Sequence, residues 1–141
     1  MSVLPKDFLE SATKLATPDC DEITQRNIIS RAYYAAYHRS CQLIKPVYSS
    51  DENIGMHKQY IQQLNNGKKG SVDRRLGGRL FKMFGRRRIA DYLINANIGQ
   101  DIAPLQLTTA KELFEIIDTH VANANMVPTT PANNSNVVSI R

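Results

Sequence analysis

Ser30-Arg31-Ala32-Tyr33-Tyr34-Ala35-Ala36-Tyr37-His38 is the most unusual stretch of this 141-residue chain, and its reading decides the fold. It is predicted to lie inside one long helix, from about Asp21 to Lys45, which stops before Pro46 because a proline ring and its missing N–H oppose continuation. Residues three and four apart share a helical face. Ile29, Tyr33, Ala36, Ser40 and Leu43 therefore form one stripe, which reads as core, and Asn27, Arg31, Tyr34, His38 and Cys41 form another. On the second stripe Arg31 and His38 are seven positions apart, which at 1.5 Å per residue separates their Cα atoms by about 10 Å. They are aligned but do not touch unless the arginine bends towards the imidazole.

The rest of the chain reads as further helices, with little strand signal and no internal repeat or Gly-x-Gly loop. A short one, about Pro5 to Ala16, has Phe8, Leu9, Ala12 and Leu15 at helical spacing, Pro5 in its first turn and Thr17, Pro18 and Asp19 as its stop. After a polar loop from Val47 to Gly55, Met56 to Leu64 reads as a third helix closed by Asn65-Asn66-Gly67, and Lys68 to Ser71 as a mobile link. A fourth helix is expected from about Val72 to Asn97, with Val72, Leu76, Leu80, Met83, Ala90 and Ile94 as its apolar stripe. Its three glycines, Gly77, Gly78 and Gly85, each cost up to about 1 kcal/mol against alanine. They imply close packing on another backbone, a bend, or a break. A last helix, about Pro104 to Asn123, turns Leu107, Ala110, Leu113, Phe114, Ile117 and Val121 to one side. The expected architecture is all-α: an up-and-down helical bundle of about five helices over residues 1–125. A disordered tail follows over 126–141, too polar and Pro-rich to fold alone.

Length and composition agree with one domain that needs neither metal nor disulfide. No apolar run reaches the roughly 20 residues of a spanning helix, and Lys6, Asp7 and Glu10 interrupt any signal-peptide pattern. A soluble, cytoplasmic protein without a membrane partner is expected. Cys20 and Cys41 are the two cysteines, and His38, His57 and His120 are scattered, so no metal site and no cofactor is expected. The net charge of +5 is concentrated in one place. Lys68 to Arg88 holds nine basic residues and one acid, Asp73, a local +8, while the other 120 residues carry nine bases and twelve acids, −3. A polyanion is the natural partner for such a segment, and a solvated helix face is the plainer alternative.

The Arg31–His38 stripe has a chemistry of its own. An imidazole exchanges protons near neutral pH, and a guanidinium holds a phosphate through two parallel hydrogen bonds. Together they suffice for RNA cleavage without metal: the 2′-hydroxyl attacks its own phosphate, His38 serves as acid or base, and Arg31 stabilises the non-bridging oxygens. Without further information such residues are more often surface or interface groups. Arg87 falls on the apolar stripe of the fourth helix, where an unpaired charge costs several kcal/mol, and Asp91 four residues on is its local partner.

Two motifs in this order resemble the HEPN family (higher eukaryotes and prokaryotes nucleotide-binding domain). Ser30 to His38 looks like that family's Arg-Ala-Tyr-Tyr-Ala-x-Phe-His helix, with Tyr37 where Phe is common, and Arg87-Arg88-Ile89-Ala90-Asp91-Tyr92 looks like its downstream Arg-x-x-Ala-Asp-Tyr signature. Gly55-Met56-His57 matches a small residue and a His opening a helix. The resemblance covers about residues 5–124. It implies a helical bundle that forms a homodimer and, in many members, a metal-independent ribonuclease with Arg, four to six residues, then His, as in Arg31 and His38. Two copies then build one composite site. Ala32 follows Arg31 where many active members carry Asn, Asp or His. The resemblance also implies pairing, in some members, with a nucleotidyltransferase or antitoxin, in which case Tyr34 and Tyr37, expected to be exposed, are candidate acceptors of a nucleotidyl group, a core or interface role being the plainer alternative.

The leading expectation is therefore a dimeric endoribonuclease, of the kind that serves as a toxin or in phage defence, with Arg31 and His38 catalytic. Arg75, Arg79, Lys82 and Arg86 would guide RNA phosphates, with Tyr34, Arg87 and Asp91 as support. The competing expectation is a non-catalytic nucleotide-, RNA- or protein-binding module using the same basic surface, and a third is a structural subunit of a larger assembly.

Overall fold

The helices begin where the sequence supplies acceptors for their first N–H groups. The Asp7 carboxylate accepts the Leu4 N–H at 2.7 Å, Asp21 Oδ1 accepts from Thr24 N at 3.0 Å, and Ser71 Oγ accepts from Arg74 N at 3.2 Å. The Thr24 bonds hold the Asp21 carboxyl below its ordinary pKa. In the computed structural model, which describes residues 2–50 and 53–126, these starts open α1 (Pro5–Leu15), α2 (Glu22–Leu43) and α4 (Val72–Tyr92). α3 (Met56–Asn65) and α5 (Ile102–Asn125) complete an all-α bundle with no strand among the described residues.

α2 is the hub. α1, α4 and α5 pack on it, α5 also touches α4 and α1, and α3 is carried on α4. Because three helices cover α2, it is buried over more than the one stripe its spacing defines: Ile28, Ala32 and Ala35 are buried beside Ile29, Tyr33, Ala36 and Ser40. Leu64, Leu76, Leu80, Met83, Leu113 and Ile117 complete the core. The buried Gln106 ties three helices together, its Nε2 donating to Ile29 O at 3.2 Å and Met83 O at 3.0 Å. α1 packs on neither α3 nor α4, which leaves the side of α2 between them open. No helix among the described residues is long and apolar enough to cross a membrane.

The structure departs from the sequence-based expectations in particular places. α4 ends at Tyr92, five residues early, and Ile94 is 74% exposed instead of joining the buried stripe. The cause is Arg26 of α2. Its guanidinium donates to the carbonyls of Ile89 (3.3 Å), Ala90 (2.9 Å), Leu93 (3.3 Å), Ile94 (3.5 Å) and Ala96 (2.6 Å), and pairs with Glu22 at 2.9 Å. Ala90, Ile94 and Ala96 offer carbonyls that find their donor in this side chain, while Ile89 and Leu93 keep backbone donors as well, so the helix end is capped from outside and the chain turns away. α5 starts at Ile102, because Pro104 is tolerated within a first turn. Lys68 to Ser71, expected as a mobile link, is a turn closed by Ser71 N donating to Lys68 O at 2.9 Å, with Gly70 at φ +82°. α4 runs through its glycines without a break, and only Gly77 is packed closely, a Cβ there meeting Asn65 of α3. The expected tail lies, from residue 127 on, outside the described residues.

Candidate functional site

The open side of α2 presents the predicted residues. His38 is exposed and rests on three rings, with centroids 5.5 Å from Phe8 of α1, 6.2 Å from Tyr34 in a stacked arrangement, and 5.4 Å from Tyr37 edge-on. Its nitrogens make no hydrogen bond among the described residues, and partial burial against the rings lowers its pKa below the ordinary histidine value. Arg31 is also exposed and donates through Nη1 to Ser11 Oγ of α1 at 2.8 Å. Phe8 and Ser11 are one turn apart on α1, so Arg31 and His38 both lie along that helix without touching each other.

Behind His38 the cluster continues inward. His57, at the second position of α3, meets Tyr37 with centroids 4.1 Å apart, Tyr34 at 5.8 Å and Phe84 at 6.3 Å. His57 Nδ1 lies 2.7 Å from the Tyr33 hydroxyl. Burial, then the positive charges of Arg87 and His38, push the His57 pKa down. Burial pushes Tyr33 well above the ordinary phenol value. The phenol can donate to Nδ1 or accept from it, so the direction of this bond follows the imidazole tautomer. Arg87, buried, donates through Nη1 to the Tyr34 hydroxyl at 3.2 Å and pairs with Asp91 Oδ2 at 3.4 Å, an oxygen that also accepts from Ser30 Oγ at 3.2 Å. Its guanidinium carbon is 5.3–5.7 Å from the ring centres of Phe84, Tyr33, Tyr34 and Tyr92, and its Nε has no partner. Cation–π attraction offsets part of what the incomplete hydrogen bonding forfeits.

The structure thus brings Tyr34, Arg87 and Asp91 together. The four basic residues of α4 also share one surface: Arg75, Arg79, Lys82 and Arg86 line a groove of about 370 Å³ against α5. Two of them are engaged within the protein. Arg79 bonds Glu112 at 3.4 Å and Arg75 O at 3.1 Å, and Arg86 bonds Gln106 Oε1 at 3.2 Å and Thr109 Oγ1 at 3.3 Å, with burial lowering the Arg86 pKa. Arg75 and Lys82 make no such side-chain bond among the described residues. No α1 or α2 residue lines this groove, so within one protomer the basic surface and the Arg31–His38 flank are separate.

Tyr37, expected to be exposed, is 7% exposed, and its hydroxyl bonds that of Tyr48 at 2.8 Å. The Tyr34 hydroxyl already accepts from Arg87. Tyr37 is buried because α3 closes over this end of α2, as its ring contacts with His57 and Tyr60 show. Neither Phe8 nor Phe84 was marked by the sequence pattern as part of this site, since Phe8 reads as an ordinary apolar position of the first helix and Phe84 lies off the apolar stripe of the fourth. Among the described residues there is no group of three or more His, Cys, Asp or Glu that could hold a metal ion, and Cys20 and Cys41 are free thiols.

No family model, curated protein or solved structure matches the chain, and its function is therefore read from the site itself.

Proposed function

We propose that the chain binds RNA and cleaves it as a homodimer without a metal ion, using Arg31 and His38. The observation that supports this reading most is the state of His38: an exposed imidazole, held on an aromatic bed, with both nitrogens unbonded and a pKa lowered so that it is neutral at pH 7. A neutral imidazole is a general base. In the proposed step His38 removes the 2′-hydroxyl proton as that oxygen attacks phosphorus, and Arg31 stabilises charge on the non-bridging oxygens. The phosphorus–O5′ bond then breaks, and the 5′-oxygen takes a proton from solvent or from the His38 imidazolium that the first transfer formed. Arg31 and His38 do not meet in one copy, so a composite site between two copies fits this chemistry better than a monomer.

The reading is tested by incubating RNA with the purified protein in EDTA. Cleavage that leaves a 2′,3′-cyclic phosphate, falls at least about 100-fold in His38→Ala and leaves dimerisation unchanged is the expected result. A strict need for Mg²⁺, or a fully active His38→Ala protein, would overturn it. One observation favours a second reading, a non-catalytic RNA-binding module that partners a nucleotidyltransferase or antitoxin: the basic groove has no α1 or α2 residue in its lining. On that reading His38→Ala changes nothing, and charge reversal at Arg75 and Lys82 weakens binding and flattens its salt dependence.

A further inference from the structure

Lys82 and Arg86 of α4 line two grooves at once, the basic one against α5 and a second one against α3. The second, about 670 Å³, is floored by Ile61, Phe81, Phe84 and Ile89 and edged by Lys58, Lys82, Arg86 and Arg88. No Asp or Glu lines it among the described residues. Phe81 is 63% exposed, a large aromatic face that contributes little to the core and lies between cations. Gly85, four residues from both Phe81 and Ile89, is not required by internal packing, since a Cβ there would meet nothing within 4 Å. A mid-helix glycine weakens a helix, and here its effect is to leave the floor bare to the backbone.

We propose that this groove receives bases of single-stranded RNA: the phosphates follow the ridge of Arg75, Lys82 and Arg86, and one or more bases turn over it to stack on Phe81. The inference rests on the RNA-binding reading and adds the site where bases are held and the preference for single strands. Three observations favour it over an acidic helix of a protein partner. The volume lies within the roughly 300–1,000 Å³ of sites that hold small flat groups. The cations continue past the apolar floor into the neighbouring groove, as a repeating phosphate chain would use them and a helix seated in one groove would not. The most exposed floor residue is an aromatic ring, which stacks any base without reading its identity.

The chain has no tryptophan, so Phe81→Trp provides a single fluorescent reporter at an exposed position. It is titrated with 2′-O-methyl oligonucleotides of about 12 nucleotides, which lack the attacking hydroxyl: a single strand, the same strand with abasic sugars, and a duplex. Quenching by the single strand and by neither of the others is expected. In parallel, Phe81→Ala should weaken single-strand binding by about tenfold while keeping its salt dependence, and Arg75→Glu with Lys82→Glu should weaken it and flatten that dependence. If Phe81→Ala binds as tightly as the unaltered protein, RNA lies on the ridge alone; the groove inference is then overturned and the RNA-binding reading stands. If the unaltered protein binds none of the probes at low salt, the RNA-binding reading fails too. Quenching by an acidic amphipathic peptide of Glu and Leu, with none by RNA, would assign the groove to a protein partner instead.

Discussion

Arg26 and Arg87 are equally buried, each 7% exposed, and differ in almost everything else. Arg26 joins α2 to the end of α4 through five carbonyls and a carboxylate, so each of its nitrogens is used. Arg87, at the centre of the aromatic cluster, has one hydroxyl, one carboxylate at 3.4 Å, four ring faces and an orphaned Nε. A saturated guanidinium fixes a helix terminus. An undersaturated one leaves its neighbourhood room to rearrange, and that neighbourhood contains Tyr34, on which His38 stacks.

The contrast is most easily broken at Arg26. Arg26→Ala should cost about 3–5 kcal/mol, measured by urea unfolding, because it strands buried carbonyls at the α4 terminus. A loss under about 1 kcal/mol would mean that water replaces the guanidinium without penalty and that saturation carries no structural weight. Arg87→Met sharpens the comparison. An apolar side chain of similar length removes the orphaned Nε and keeps the ring contacts, so the loss should be no more than about 1–2 kcal/mol. A loss as large as that of Arg26→Ala would show the aromatic cage to be as binding as the carbonyl set.

The smallest effect is a pH slope from His38 and from His57, which feels the charge of Arg87. His38 and His57 have folded pKa values below the 6.5 of the free side chain. Between the folded and unfolded values the unfolded chain binds more protons, so stability rises with pH through that window and is level above it. Acidification from about pH 6.5 should therefore weaken the fold progressively, until the pH falls below the folded values. Urea midpoints from pH 7.5 down to 5 should show the slope, and His57→Gln should reduce it. An unchanged slope in that variant would place the proton uptake elsewhere.

Much of the fold was legible because it is local. The core stripe of α2, the starts of α2 near Asp21 and of α4 at Val72, and the breaks at Pro18 and Pro46 all act within a turn or two of their own residues. The end of α4 was not, because Arg26, 63 to 70 positions away, decides where it stops. The candidate site divides in the same way. That Arg31, Tyr34 and His38 share a face follows from helical spacing, and the Arg87–Asp91 pair from an i,i+4 relation. That Ser11 takes Arg31, that His57 reaches Tyr33, and that the basic residues of α4 face α5 instead of α1 are outcomes of helix packing, to which no local pattern points.

The span between Arg26 and its acceptors also bears on how the chain is made. A nascent polypeptide that has not yet extended to Ala96 offers this guanidinium only Glu22 and whichever of the other carbonyls have emerged. Helices α1 and α2 are written first, yet the seam that locks α2 to α4 is sealed only once the chain has reached Ala96, 70 positions beyond Arg26. Contacts of such long reach delay folding, because the intervening chain must first be closed into a loop. The first half of this protein is therefore held in waiting for its second.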